Sequence, residues 1–346
     1  MTEGQLTSLL SPNIVATIAS IHEIKGRQHV RKQLKPAAFD SLRETAMVQS
    51  TGSSNRIEGI STSDARLKAL VAQKTMPRDR SEQEIVGYRN VLSMIHENHE
   101  FIPITGNVIL QLHRDLFAQT GLSFGGHWKD VDNVIVETAT NGVRQVRFRP
   151  TSALETPAAI DQLCAAHAKV TRREAIDPLI IAAVFTFDFV SIHPFNDGNG
   201  RMSRLMTLLL LYKAGYSIGA YISLEQEIES SKVTYYEALR KSSAGWAAGQ
   251  NDYAPIVEYL LGIVLGAYRK LDDFAQPLIG NRTSKLKRVE SAAREKLGAF
   301  TKADLVACLP DISTTTVERA LGTMLKSGKI AKTGNGRGTK YYWIER

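Results

Sequence analysis

Two apolar helical patterns, over residues 177–190 and 200–213, are separated by a stretch that contains His193-Pro194-Phe195-Asn196-Asp197-Gly198-Asn199-Gly200. The flanks are rich enough in Phe, Val and Leu to be buried, whereas the loop is too polar and too glycine-rich to be core. A chain built this way must pack helices side by side and hold one polar loop at the end of the shared core. The rest of the sequence keeps the same period. Apolar residues recur at three- and four-residue spacing over 63–73, 81–98, 105–118, 156–169, 230–242 and 253–274, so the expected fold class is mainly α. A further helix opens at Pro36 and is expected to stop at Thr51-Gly52-Ser53-Ser54, a run of turn and cap formers.

Two islands break the helical pattern. In the first, at 132–150, Val134-Ile135-Val136 and residues 143–148 flank Ala139-Thr140-Asn141-Gly142, and Asn-Gly between β-prone runs predicts a hairpin. The second follows a polar stretch, Asn281-Arg282-Thr283-Ser284-Lys285, that reads as a linker or a helix start. Helices over 301–307 and 313–327 and two short strands within 329–344 give the order of a small winged helix-turn-helix domain. The expected organisation is an N-terminal helical region at 1–100, a core at 101–275 and the winged helix at 281–346. Charge divides in the same place. The net +8 comes entirely from the last 66 residues, with 14 basic and 6 acidic side chains, while the preceding 280 hold 29 of each. A basic terminal module fits a DNA or a protein partner.

The two cysteines, Cys164 and Cys308, lie far apart in apolar helical surroundings, which favours reduced thiols over a disulfide and predicts a cytoplasmic protein. The N-terminus shows no basic region ahead of an apolar core. The strongly apolar stretches fall well short of a membrane span, so neither secretion nor a membrane partner is expected.

The polar loop carries a specific chemistry. Gly198 and Gly200 let the backbone approach a ligand, and the helix that starts near Gly200 points unsatisfied N–H groups at the loop, which makes an anion site. Arg201 and Arg204 are three apart on that helix, so they share a face near its N-terminus, a placement best tolerated with polyphosphate between them. Asp197 suits Mg²⁺ that bridges phosphates, since such an ion usually takes one or two carboxylates. His193 can serve as a general base on an incoming hydroxyl. Any one of these residues is equally at home in a plain connecting loop; their convergence within twelve positions points to nucleotide transfer. Neither GxxxxGK[ST] nor a strand-borne GxGxxG is present.

His193 to Arg204 resembles the Fic family signature, HPFx(D/E)GNGRxxR, at every fixed position. The resemblance implies a helical bundle with a β-hairpin flap that transfers AMP from ATP to a Tyr, Ser or Thr hydroxyl of a target protein, or of itself, and releases pyrophosphate. By position, His193 would deprotonate the hydroxyl and Asp197 would hold Mg²⁺. Gly198, Asn199 and Gly200 would hold the α-phosphate, with Arg201 and Arg204 on the β- and γ-phosphates. Phe195 is expected to pack below the loop. The 132–150 hairpin stands where the family carries its flap, which aligns a target segment by strand addition; a purely structural hairpin fits the same residues. Tyr235-Tyr236 resembles the tyrosine pair that helps bind the nucleoside, and a core role for one of the two fits at least as well. Ser243 stands where an Asn often follows in the family.

Ser54-Asn55-Arg56-Ile57-Glu58-Gly59 resembles the family's inhibitory motif, (S/T)xxxE(G/N), with Ser54, Glu58 and Gly59 at its fixed positions. A carboxylate inserted against Arg204 would form a charge-assisted pair and take the place of the γ-phosphate. An autoinhibited adenylyltransferase is the reading that follows. Its alternatives are a DNA-binding regulator whose Fic-like part only binds nucleotide, and a Fic enzyme that removes AMP or transfers another phosphate-linked group. A homo-oligomer stays open.

Overall fold

The computed structural model describes residues 2–34, 36–138, 144–279, 285–296, 298–334 and 336–344. The Asn141-Gly142 turn and the 281–284 stretch lie outside them. Helices dominate. The N-terminal half runs through α1 (Glu3–Thr7), α2 (Pro12–Leu34), α3 (Pro36–Ile57), α4 (Asp64–Val71), α5 (Arg80–Asn98) and α6 (Gly106–Phe117). A hairpin of β1 (Ile135–Thr138) and β2 (Arg144–Phe148) follows, antiparallel with Val136 opposite Val146 and an irregularity between Ile135 and Val136. Beyond it come α7 (Thr156–Arg173), α8 (Pro178–Ile192), α9 (Asn199–Lys213), α10 (Leu224–Ser230), α11 (Lys232–Ser243) and α12 (Ala254–Ile279). The C-terminal part holds α13 (Lys285–Arg294), α14 (Lys302–Cys308), α15 (Thr314–Lys326), β3 (Ile330–Thr333) and β4 (Lys340–Trp343).

The centre is α8. Asp177 caps it by accepting from the Leu179 N–H at 2.9 Å, and Pro178 occupies its first turn, where a missing N–H costs nothing. Its apolar residues recur on every face, so it has no solvent side; Ile180, Val184, Phe185, Phe187 and Phe189 are fully buried. Helices α7, α9 and α12 pack around it, α2 lies along α12, and α3 packs against α5 and α10. One continuous apolar core runs from Leu6 to Ala275 and takes in both the N-terminal helices and those after residue 101. A second core, built on Val289, Phe300, Leu305, Val317, Leu321 and Ile330, belongs to the C-terminal helices and their hairpin. Among the described residues, no helix is long and apolar enough to cross a membrane. Both thiols are free, with Cys164 buried.

Helix α3 departs from expectation. It does not stop at Thr51-Gly52-Ser53-Ser54 but continues to Ile57. The polar run is buried and finds tertiary partners at both ends: Ser50 Oγ donates to Glu225 at 2.7 Å, and Ser54 Oγ accepts from Arg204 Nε at 2.8 Å. Those partners outweigh the weak helix propensity of Ser, Thr and Asn. The hydroxyls that look like a stop signal are a polar helix face turned inward.

Helices α5 and α6 cross closely at Gly87, where a Cβ would stand 1.9 Å from the Leu116 carbonyl oxygen. Gly87→Ala should therefore lower stability by about 2–3 kcal/mol through overpacking. Gly262→Ala, at an exposed position of α12 with open space around it, should be neutral or gain up to about 1 kcal/mol. Differential scanning calorimetry of the two variants checks both outcomes.

Candidate active site

The loop between α8 and α9 is shaped by its two ends. His193 closes α8 as a left-handed C-cap, φ 54°, an uncommon conformation for a residue with a Cβ, and its N–H bonds to the Phe189 carbonyl at 3.1 Å. Gly198 opens α9 with φ 81°, and a side chain there would run into Phe117. Between them Asn199 ties the loop shut: its Oδ1 accepts from Phe195 N–H at 2.9 Å and its Nδ2 donates to Phe195 O at 2.7 Å. Both ends of that amide are thus engaged by the loop itself. Phe195 is fully buried below the loop, stacked on His113 with ring centroids 3.6 Å apart.

His113 is a support that the sequence reading takes for part of an apolar helix face. Its Nδ1 accepts from Gly126 N–H at 3.0 Å and its Nε2 faces the Asp197 carbonyl at 3.0 Å, which fixes one neutral tautomer. Burial pushes its pKa down to about 4, so it stays uncharged. Lys129, which carries no motif signal at all, is the second support. Its Nζ donates to Ile192 O and Asn133 Oδ1, each at 3.1 Å, and its N–H bonds to Pro194 O at 2.8 Å. A cation on the last carbonyls of α8 also meets the negative end of that helix. Burial lowers the Lys129 pKa to about 8.

His193 Nδ1 lies 3.3 Å from the Val190 carbonyl. A carbonyl only accepts, so Nδ1 carries the proton and Nε2 keeps the lone pair. Burial depresses the imidazole pKa, the Val190 carbonyl opposes this, and the Lys129 charge adds to the lowering. His193, Gly200, Arg204 and Glu58 line one cavity of about 190 Å³, closed by Ile135, Arg147 and Phe148 of the hairpin and by Tyr235, Tyr236 and Ser243 of α11.

The guanidinium of Arg204 is buried in the wall of this cavity, and that of Arg201 is buried nearby in the first turn of α9. Arg204 is 3% exposed and donates to Ser54 Oγ at 2.8 Å, Ser54 O at 2.9 Å and Glu58 Oε1 at 2.8 Å. The Glu58 carboxylate lies against the first turn of α9, so close that a Cβ on Gly200 would sit 2.1 Å from Oε1. A negative group thus already stands where a helix N-terminus attracts one. Gly59 follows with φ 81° and turns the chain away. The last turn of α3 is held from outside by Arg56, which donates to both oxygens of Glu229 at 2.7 Å, and by Lys232 Nζ on Ile57 O at 2.8 Å. Arg201 is 1% exposed and pairs with Glu84 at 2.6 Å, with Asp197 3.7 Å away. Tyr235 is buried beside Arg204, and burial pushes its pKa up to about 12.

Two fits can be tested on these atoms. Arg201 Nε is buried with no partner, and the guanidiniums face a helix N-terminus; both suit a phosphate chain. Asp197 is half-exposed and stands apart from any cluster of three ligating side chains among the described residues. That donor set fits Mg²⁺ arriving on a nucleotide, not a protein-caged ion.

A helix N-terminus beside the buried Arg204, with His193 across the same cavity, is an arrangement chemically suited to a phosphate group next to a base. Residues 103–211 match the Fic/DOC family model. It is 30% identical over 135 residues to a protein adenylyltransferase, fic-1, of Caenorhabditis elegans, which covers 37% of this chain and 24% of that protein. It is 41% identical over 70 residues to a Fido domain-containing protein of Dictyostelium discoideum, covering 19% of this chain and 49% of the relative. The chain thus spans between a quarter and a half of these curated relatives. A Fic family protein from Desulfovibrio desulfuricans G20 shares the fold across 97% of both chains, with TM-score 0.62 and 22% identity.

Because Lys129 repels a proton on His193, Lys129→Met should raise the imidazole titration midpoint toward its ordinary value of about 6.5. Histidine NMR reads this directly. A midpoint that falls or stays put would remove Lys129 as a cause.

Proposed function

We propose that the chain is a protein adenylyltransferase, transferring AMP from ATP to a hydroxyl of a target protein or of itself, and that Glu58 holds it in check. The observation that supports this best is the single cavity that His193, Gly200 and Arg204 share, with the Glu58 carboxylate on Arg204 and against the first turn of α9. The names of the curated relatives point to the same reaction.

The steps follow from the groups present. His193 Nε2 accepts the proton of the target hydroxyl, and the freed oxygen attacks the α-phosphorus of ATP. The bond to the β-phosphate oxygen breaks and pyrophosphate leaves with the electron pair, its charge met by Arg204 and Arg201. The loop clamped by Asn199 presents the Gly198–Gly200 backbone to the α-phosphate. Asp197 would hold Mg²⁺, which would supply neutralisation of the phosphate oxygens. Tyr235 and Tyr236 wall the nucleoside end. The hairpin aligns the target segment through its backbone.

Glu58 acts by occupying the γ-phosphate position on Arg204. ATP bound beside it has its α-phosphate turned from the line of attack, and misplacement of that order costs about 10²-fold in rate. On this reading the protein works in the cytoplasm, and the basic C-terminal part is a winged helix that meets DNA or a protein.

Glu58→Gly should raise labelling from α-labelled ATP with Mg²⁺ by about 10²-fold, and His193→Ala added to it should abolish labelling. Intact mass identifies the transferred group and reports self-modification. No transfer by a folded Glu58→Gly protein would sink the adenylyltransferase reading, whereas unchanged labelling would remove the brake alone. Arg56→Ala loosens the last turn of α3 without touching the cavity, and should give a smaller rise. The depressed His193 pKa should carry the acid limb of the rate below the ordinary histidine range, since the neutral base persists to lower pH.

A further inference from the structure

The N-terminus of α9 is served by more than the two arginines of the loop motif. Glu84, in the first turns of α5, is buried and divides its carboxylate between two guanidiniums: Oε2 accepts from Arg201 Nη1 at 2.6 Å and Oε1 from Arg80 Nε at 2.8 Å. Arg201 is clamped on three sides, by Glu84, by the Phe117 ring 5.0 Å from its Cζ, and by Asp197. Arg80 is different. Its side chain is 59% exposed, and its Nη2 reaches to 3.8 Å from Asp197 Oδ2.

Arg80 is the first residue of α5, where the helix dipole disfavours a cation. Around the start of α9 stand three carboxylates, Glu58, Glu84 and Asp197, and three guanidiniums, Arg80, Arg201 and Arg204. With Glu58 in place the set is neutral. With Glu58 withdrawn these side chains carry one positive charge, and Arg147 of the hairpin adds a further cation to the cavity wall. Without Arg80 the remaining four side chains would sum to zero, with Glu84 and Asp197 both on Arg201 and Arg204 left without a carboxylate.

We propose that Arg80 is a phosphate ligand of this site, holding the pyrophosphate end of the nucleotide, and that Glu84 is a positioning residue for Arg80 and Arg201. The proposal rests on the adenylyltransferase reading. Arg80 has the reach for it: one long, exposed side chain turns its fork from the Asp197 carboxylate to a phosphate oxygen, and a guanidinium binds both bidentately. Glu84 holds that fork through Nε, and its Nη2 stands on the Asp197 side, beside the loop that opens α9.

Calorimetric binding of inorganic pyrophosphate, ATP and AMP to the full chain carrying Glu58→Gly tests this without requiring transfer. Adding Arg80→Ala should weaken pyrophosphate and ATP about tenfold or more, the scale of one charge-assisted hydrogen bond, and leave AMP within about twofold. Arg80→Lys should restore part of the loss. Glu84→Gln should weaken the same two ligands and spare AMP. Unchanged pyrophosphate affinity in Arg80→Ala overturns the proposal, as does an equal loss for AMP, which marks a general distortion of the site. If the Glu58→Gly parent binds neither ATP nor pyrophosphate, the adenylyltransferase reading fails first and takes this inference with it.

Discussion

A guanidinium taken out of water must keep a partner, because the desolvation penalty of an unpaired buried ion is several kcal/mol. Arg204 sits at 3% exposure between Tyr88, Tyr235 and the start of α9, and much of the surrounding architecture answers that requirement. Helix α3 must reach far enough to bring Ser54 and Glu58 to it. That reach is why a serine-rich run is buried, why the helix ends at Ile57 and why Arg56 finds Glu229 on α10. The pair is also exchangeable. On the autoinhibited reading, a phosphate in place of Glu58 would keep Arg204 paired, so the two anions exclude each other at one buried cation.

Most of the architecture was legible because helical periodicity survives wherever one face is buried. The helices from 156 to 213 and the two strands of the hairpin fall within a few residues of expectation. The N-terminal helix α2 was not read, nor was the short α10, whose seven residues hold too few turns to show a period. The end of α3 was misread because Ser, Thr and Asn are ambiguous in sequence. They stop a helix when local backbone satisfies them and continue it when tertiary partners do.

The site shows the same division. His193, Asp197, Gly198, Asn199, Gly200, Arg201 and Arg204 were legible because twelve consecutive positions hold them all, and Ser54 and Glu58 because a short motif spaces them. Lys129, His113, Arg80 and Glu84 were not. Their partners lie 63 residues away for Lys129 and Ile192, 84 for His113 and Asp197, and 117 for Glu84 and Arg201. Arg80 and Glu84 at i, i+4 read as an ordinary helix-surface pair, and a lone lysine after Trp128 reads as nothing. Only the fold brings them to the loop.

The outer hold on α3, through Arg56 and Lys232, sets a property that no residue of the cavity sets alone. A carboxylate carried on the protein's own helix is a tethered ligand, and its strength is an effective concentration fixed by how firmly that last turn is held. On the autoinhibited reading, the nucleotide level at which the site opens is therefore a stability property of α3 and α10. Substitutions on their outer faces can move that threshold up or down and leave the chemistry of His193 untouched.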